Sequence, residues 1–422
     1  MDAEARIELI RDLCSFEGRV AGTDSERRAA NWLAERLRSA SGRRVTVEPT
    51  YVHPQTPMVE ALHCALAFAG SLAAIPSPPV GFGLVLIAAT SMYFDLNARF
   101  YLLRRLFFRR SSQNVVARGR RRGASGTVII AAHLDAARTG LIFRPGVMRR
   151  FTRLSRLLAT PVGPFRPLFW SVAVLLPILG ARLAGVDNNF LSILQVIPTL
   201  TLLLGTFLLV DIQLSDVVPA ANDDASGVAT AISLAAALAA DHPGHLDVWV
   251  VLTGGEECLM EGMRAFVRSQ RNVLDPETTY VLNIDAVGDG DVRYAISEGA
   301  AVSFALDKRL AELCEAIAAA DRENGDRYRA EPIRRGIGSD ALPARLAGIP
   351  SMTITALRRP HAFPETYRRP EDVPDAIDAG SLDRAHDFTL ELIRQLDRDA
   401  GRRARKGAPK GKAKPNREEA VA

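Results

Sequence analysis

Four short clusters of acidic residues, one of which also holds a histidine, stand where apolar runs of the chain end or begin. They are residues 133–135 (HLD), 222–227 (NDDASG), 254–257 (GGEE) and 283–285 (NID). Carboxylates that meet at one edge of a sheet would not all stay ionised without a cation nearby. A divalent metal ion is the natural counter-charge, so the clusters predict a metal site if the fold brings them together.

The residue types in these clusters suit metal-assisted hydrolysis. Histidine nitrogen and carboxylate oxygen are ordinary zinc ligands, and one carboxylate can bridge two ions. Asp135 stands two residues after His133 and is expected to orient that imidazole during catalysis. Of the adjacent residues Glu256 and Glu257, one can bind metal while the other stays free as a general base.

Each cluster taken alone has a simpler interpretation. HLD is typical of a loop, NDDASG of a helix cap and GGEE of a turn. Their common placement at the ends of predicted strands is what favours a single metal site.

Together with several weaker motifs, the clusters make the chain similar to metallopeptidase family 28, the zinc aminopeptidases related to bacterial leucine aminopeptidase and glutaminyl cyclase. The resemblance covers residues 1–57, 112–135 and 216–395. Its weaker signatures are GRVAGTDSERRAANWLAERL, NVVARG, GSDALPARLAGIPS and PEDVPDAID. Two apolar segments lie where the family usually has shorter connections.

The resemblance implies a ligand set and a role for each residue. His133 and Asp285 would hold one zinc ion, Glu257 and a late histidine would hold a second, and Asp223 would bridge the two. Glu256 would be the general base that deprotonates the water between the ions, while a zinc polarises the scissile carbonyl. The expected cofactor is therefore Zn²⁺, with two ions per chain, and the expected substrate is a peptide.

The late histidine is where the chain departs from the family. The family pattern is tyrosine-histidine-x-proline-x-aspartate, and the ungapped register places Arg368 at the histidine. Arginine is always protonated and cannot bind zinc, although it suits a substrate carboxylate. His361 lies seven positions upstream and is the predicted substitute ligand. Without it, only one zinc ion is expected, in an enzyme of altered or lost activity.

Three functions follow from these residues. The first is a zinc-dependent peptidase, acting as an aminopeptidase. The second is an acyl transferase of the glutaminyl-cyclase type, because one fold supports several chemistries. The third is a membrane-tethered binding or scaffold protein without turnover. Arg368 favours the third function, whereas an intact Glu256 argues against it.

The elements that must position these residues alternate between strand and helix. Apolar runs predict strands at residues 127–132, 246–252 and 279–284, and a helix at residues 227–240. This alternation is typical of an α/β fold, a three-layer sandwich with a mostly parallel central sheet. In such sheets ligands bind beyond the carboxyl ends of the strands, which is where the clusters stand.

Two apolar hairpins interrupt this domain, at residues 58–98 and 161–214. Three of their four arms have about fifteen uncharged residues, fewer than the roughly twenty that cross a bilayer unaided, whereas 188–210 is long enough. They are predicted to be transmembrane hairpins, with buried helices or a dimer contact as the alternative. The zinc peptidase domain then comprises residues 1–57, 99–160 and 215–400, followed by a basic disordered tail at 401–422.

Charge and cysteine content bear on partners and location. The net charge of +5 comes from residues near the hairpins and in the tail, so membrane lipids rather than nucleic acid are the expected partners. Arginines crowd the hairpin flanks on the domain side, and Arg182 is nearly alone at the tips. By the positive-inside rule, this predicts an inner-membrane protein with a cytoplasmic catalytic domain. Four scattered cysteines suggest no disulfide framework, no signal peptide is predicted, and the oligomeric state is left open.

Overall fold

The computed structural model describes residues 1–119, 121, 123–359 and 362–407. Within this part of the chain, nine strands form one sheet in the order β1-β2-β4-β3-β5-β9-β6-β7, with β8 paired to β6. The strands are β1 (Val45–Val52), β2 (Arg110–Ala117), β3 (Gly126–His133), β4 (Leu246–Thr253), β5 (Thr279–Ile284), β6 (Asp291–Glu298), β7 (Phe304–Ala305), β8 (Glu331–Arg334) and β9 (Ser351–Leu357).

The centre of the sheet is parallel, and its flanks are antiparallel except for β8, which is parallel to β6. Strands β4, β3, β5 and β9 are parallel neighbours. The pairs β1–β2, β2–β4, β6–β9 and β6–β7 are antiparallel. The predicted α/β fold with a mostly parallel central sheet is confirmed, and the three predicted strands correspond to β3, β4 and β5.

Helices cover both faces of the sheet. They are α1 (Ala3–Cys14), α2 (Asp24–Ser41), α3 (Thr56–Ala73), α4 (Pro78–Leu96), α5 (Pro145–Leu157), α6 (Phe165–Leu183), α7 (Asn189–Leu214), α8 (Gly227–Ala240), α9 (Glu261–Gln270), α10 (Lys308–Glu323), α11 (Ala341–Leu346) and α12 (Ala379–Gly407). Successive residues of a strand point to opposite faces. Val128 and Ile130 of β3 therefore share a core with α1, α2 and α8, and Ile129 packs with α9 and α11.

The two predicted hairpins form a separate helical layer. Helices α3, α4, α6 and α7 contribute to one apolar cluster, which includes Cys64, Met92, Val172 and Leu202. They contain 18, 19, 19 and 26 residues, more than the predicted arms, and each is long and apolar enough to cross a membrane. Helix α7 also exposes large apolar side chains such as Ile197, 74% exposed, and Phe207, 62% exposed.

The C-terminal boundary differs from the predicted one. The tail was expected to begin at residue 401, but α12 continues to Gly407. Phe388, Leu392 and Leu396 of this helix pack on the sheet. Its last turns are basic, and the helical hydrogen bonds continue through them. Residues 408–422 lie outside the described part of the chain.

Candidate active site

The predicted residues share one cavity at the carboxyl edge of the sheet. Strand β3 ends at His133 and β5 ends just before Asp285, and parallel neighbours end at the same edge. The lining of the cavity includes His133, Asp223, Glu256, Glu257 and Asp285. If these residues had been on separate surfaces, they could not have formed a common metal site. The structure instead places them in one cavity.

Three of them can hold one metal ion. His133 Nε2 lies 3.2 Å from Asp223 Oδ1. The ligand atoms of His133, Asp223 and Glu257 all lie within 4.8 Å of one another. One imidazole and two carboxylates leave a fourth position open for water, as in catalytic zinc sites.

Asp135 supports both motifs of the site. One of its oxygens accepts the Glu256 backbone N–H and the other accepts that of Glu257, each at 3.1 Å. The same carboxylate lies 3.5 Å from His133 Nδ1, whose nearer partner is the Asp135 carbonyl oxygen at 3.2 Å. The sequence predicted the contact of Asp135 with the imidazole. Its hydrogen bonds to the backbone of Glu256 and Glu257 are a second function.

Two positioning residues escaped the sequence analysis, Asp224 and Asp372. Asp224 is fully buried and accepts the backbone N–H groups of His133 at 3.1 Å and Ala286 at 2.9 Å. Asp372 accepts those of Asn222 at 2.8 Å and Asp223 at 3.2 Å. Asp224 lies in the NDDASG motif and Asp372 in the PEDVPDAID motif. Their place in these motifs was the signal in the sequence that could have identified them.

Asp285 lies in the cavity but is paired with an arginine. Arg335 Nη1 is 2.7 Å from Asp285 Oδ2 and 3.9 Å from Glu298 Oε2. Both Arg335 and Glu298 are buried. Asp285 is therefore not one of the three residues whose ligand atoms cluster. Arg335 was not predicted, because it follows the short edge strand β8 and no motif surrounds it.

A second arginine, Arg368, pairs with Glu257. Its guanidinium lies over the rings of Phe143 and Tyr367, 5.4 and 5.3 Å from their centroids. The backbone of Arg368 has a φ of 52°, a left-handed conformation that costs a non-glycine residue about 1–2 kcal/mol. The chain thus places a guanidinium beside the carboxylate that was predicted to bind the second zinc. His361, the predicted substitute ligand, lies outside the described residues.

Burial makes the acids of the cavity hard to ionise. It raises the pKa of Glu256 well above its ordinary value, and His133 counteracts this only in part. Burial also raises the pKa of Glu257 to about 7, although the neighbouring Arg368 lowers it. A cation bound among these groups would favour their ionised forms.

The pKa of His133 also indicates that the cavity holds too little positive charge. Burial alone would lower its pKa, but hydrogen bonds to Asp135 and Asp223 raise it well above the ordinary value. Among the described residues that line the cavity are four carboxylic acids and two arginines. With all six ionised, the lining carries two negative charges, which one divalent cation would balance. The donor set and its charge therefore fit a zinc ion.

This fold and this acid-lined site define a metallopeptidase of the zinc aminopeptidase type. Residues 210–393 match the family described as "Peptidase family M28", which confirms the resemblance to that family. A search of the curated proteins gave no match.

Solved structures share the fold. A leucine aminopeptidase precursor from Bacteroides thetaiotaomicron VPI-5482 is 15% identical with a TM-score of 0.52, covering 93% of this chain and 97% of that one. An aminopeptidase from Aneurinibacillus sp. strain AM-1 is 15% identical with a TM-score of 0.54, covering 94% of each chain. A Bacteroides thetaiotaomicron glutaminyl cyclase is 14% identical with a TM-score of 0.54, covering 93% of this chain and 97% of that one.

Proposed function

We propose that the protein is an aminopeptidase that works with a single zinc ion, held by His133, Asp223 and Glu257. The observation that carries the proposal is the approach of these three ligand groups to within 4.8 Å beside Glu256 in one cavity. When bound, zinc lowers the pKa of a water molecule and polarises the scissile carbonyl.

The residues of the chain perform the proton transfers. Glu256 accepts the proton of the attacking water and passes it to the leaving amine. Glu256 lines the same cavity as the three ligand groups, which puts its carboxylate near the water and the amide that exchange this proton. Asp135 fixes the backbone of Glu256 and Glu257, so that one carboxylate faces the metal position and the other remains a base.

The metal count follows from Arg368. Family members with two ions have a histidine at this position, and here a guanidinium lies against Glu257 instead. Arginine offers no lone pair to a second divalent ion, and that ion would leave the cavity lining with two excess positive charges. The arginine is held over two aromatic rings, which makes its displacement costly. We therefore expect one ion per chain.

The test combines metal analysis with an activity assay on purified protein in detergent. We expect one zinc per chain and hydrolysis of alanine p-nitroanilide. Glu256→Gln should lower kcat about 10²- to 10⁴-fold at unchanged zinc content, because only the base is removed. Two zinc ions per chain would contradict the proposed centre.

A second candidate function is acyl transfer, favoured by the glutaminyl cyclases that share the fold. Incubation of a peptide with an N-terminal glutamine distinguishes the two, because cyclisation releases ammonia whereas peptidase action releases free glutamine. Bound metal without turnover of any peptide would instead favour a binding or scaffold protein.

We also propose that the four apolar helices anchor the protein in the inner membrane with the catalytic domain in the cytoplasm. The exposed apolar side chains of α7 support this, since so many on one helix are unusual in water. Hairpins return the chain to its starting side, which keeps all catalytic segments together. The arginines next to the hairpins are on the domain side, and such arginines favour the cytoplasmic face.

A further inference from the structure

The catalytic cavity has a second wall that is made by the membrane helices. One side of the cavity carries the acids and arginines of the site, and the other is apolar. The apolar side comes from the start of α6 and the last turns of α7, with residues Phe165, Leu168, Leu208, Leu209 and Ile212. The site therefore opens towards the second hairpin.

The apolar wall reaches well along α7. Gly205 lines the cavity and stands nine residues before the helix end at Leu214, which corresponds to about 13 Å at 1.5 Å per residue. The hydrocarbon core of a bilayer is about 30 Å thick. If α7 spans the membrane, the inner end of the cavity lies at the depth of lipid chains.

Gly205 closes this inner end. A Cβ atom at this position would lie 2.4 Å from Leu168 Cδ2, so a larger residue would require the Leu168 side chain to move.

A polypeptide backbone would be a poor occupant of the apolar wall, because its N–H and C=O groups would find no partners along it. A hydrocarbon group needs no partners. The acids and arginines at the other end suit the polar amide that is to be cleaved.

We propose that the enzyme acts on amphiphilic amides, in which an apolar chain next to the scissile bond lies along the apolar wall formed by α6 and α7. This inference rests on the proposed peptidase function and specifies its substrate class. The chemistry is unchanged: water adds to the amide carbonyl, the C–N bond breaks, and the leaving nitrogen takes a proton.

Two series of substrates test the proposal with purified protein in non-ionic detergent. In the first, p-nitroanilides of α-amino acids carry unbranched side chains of one, four and eight carbons. In the second, alanine amides carry butyl, octyl and dodecyl groups on the amide nitrogen. Transfer of each methylene from water favours binding about threefold to fourfold at most. We expect kcat/KM to rise at least tenfold along one series, and the responding series identifies the side of the bond that carries the chain.

A variant narrows the pocket at a known place. In Leu208→Trp, the larger side chain occupies space along the apolar wall. The kcat/KM of the longest substrate divided by that of the shortest should therefore fall about tenfold. Leu204→Trp is the matched control, because Leu204 is on the same helix but is 57% exposed and does not line the cavity. It should leave the ratio unchanged.

The possible outcomes distinguish a failure of this substrate class from a failure of the proposed peptidase function. Hydrolysis at equal kcat/KM throughout both series would overturn the inference and leave the peptidase proposal intact. Absence of turnover with every substrate would overturn both. If Leu208→Trp fails to fold, the two substrate series measured with the unmodified protein still test the inference.

Discussion

At the scale of single residues, the contact between Arg368 and Glu257 is the observation from which we propose one metal ion rather than two. The guanidinium brings one positive charge to the position where a second ion would bring two. It also keeps the Glu257 carboxylate in place without a metal. If this is the reason for a single ion, restoring the ligand should restore the second ion.

Arg368→His is therefore expected to raise the zinc content from one to two ions per chain. Histidine tolerates the left-handed backbone at this position better than most residues. The measurement is mass-spectrometric metal analysis after equilibration with zinc and desalting. Arg369→His is the matched control, since Arg369 is the next residue and pairs with Glu371 rather than with the site. A content of one ion in Arg368→His would contradict this assignment.

Asp135 offers a prediction about positioning. Asparagine has one acceptor oxygen, so Asp135→Asn can accept only one of the two backbone N–H groups and turns an amide N–H₂ towards the other. We expect kcat to fall and zinc affinity to weaken, each about 10- to 100-fold. Titration with a zinc buffer and steady-state kinetics measure the two effects. Asp275→Asn, in an exposed loop, should change neither.

The sequence predicted the acids and His133 because each follows an apolar run, which marks the end of a buried strand. It did not predict Arg335. That residue reaches Asp285 across the sheet, and nothing in the local pattern around it distinguishes a buried arginine from an exposed one. Ion pairs between distant segments depend on the tertiary fold and leave no periodicity in the sequence.

At the scale of elements, the central strands were predicted to within about one residue, and the four apolar helices were predicted too short. Strand β5 begins and ends as expected because both faces of the sheet are covered, which makes the run continuously apolar. Helix α3 continues through Glu60 and α4 through Asp95. Because the predicted arms stop at charged residues, the first begins after the start of α3 and the second stops before the end of α4.

Those two acids are tolerated because Arg104 lies between them. Arg104 is fully buried, its Nε is 2.7 Å from Asp95 Oδ1, and Glu60 lies 4.0 Å from its Nη2. Glu60, His63 and Asp95 are also close enough to hold a metal ion. The guanidinium already supplies the positive charge there, so the cluster joins the first hairpin to the catalytic domain and needs no metal.

Arg104→Met should therefore destabilise the protein by about 3–5 kcal/mol, because it leaves two buried carboxylates without their cation. The measurement is thermal unfolding in detergent, with a lower melting temperature as the expected result. Arg105→Met is the matched control, since Arg105 is the exposed neighbour of the same type. Equal melting temperatures for the two variants would show that the pair does not stabilise the junction.

At the scale of the whole molecule, the hairpins and the catalytic domain form one site rather than two separate modules. The cavity takes its acids from the sheet edge and its apolar wall from α6 and α7. Sequence patterns indicated each part, but their junction depends on packing between segments that are far apart in the chain.

The orientation of this assembly can be measured with a protease and a C-terminal epitope tag on the full chain. Two hairpins leave every catalytic segment on one side of the membrane, and the arginines beside them favour the cytoplasmic side. The tag should therefore be digested in inside-out vesicles and protected in spheroplasts. Solubilising the spheroplasts with detergent before digestion is the control, because the tag must then become accessible. Digestion in intact spheroplasts would reverse the orientation and place the site, with its apolar entrance, on the outer face of the membrane.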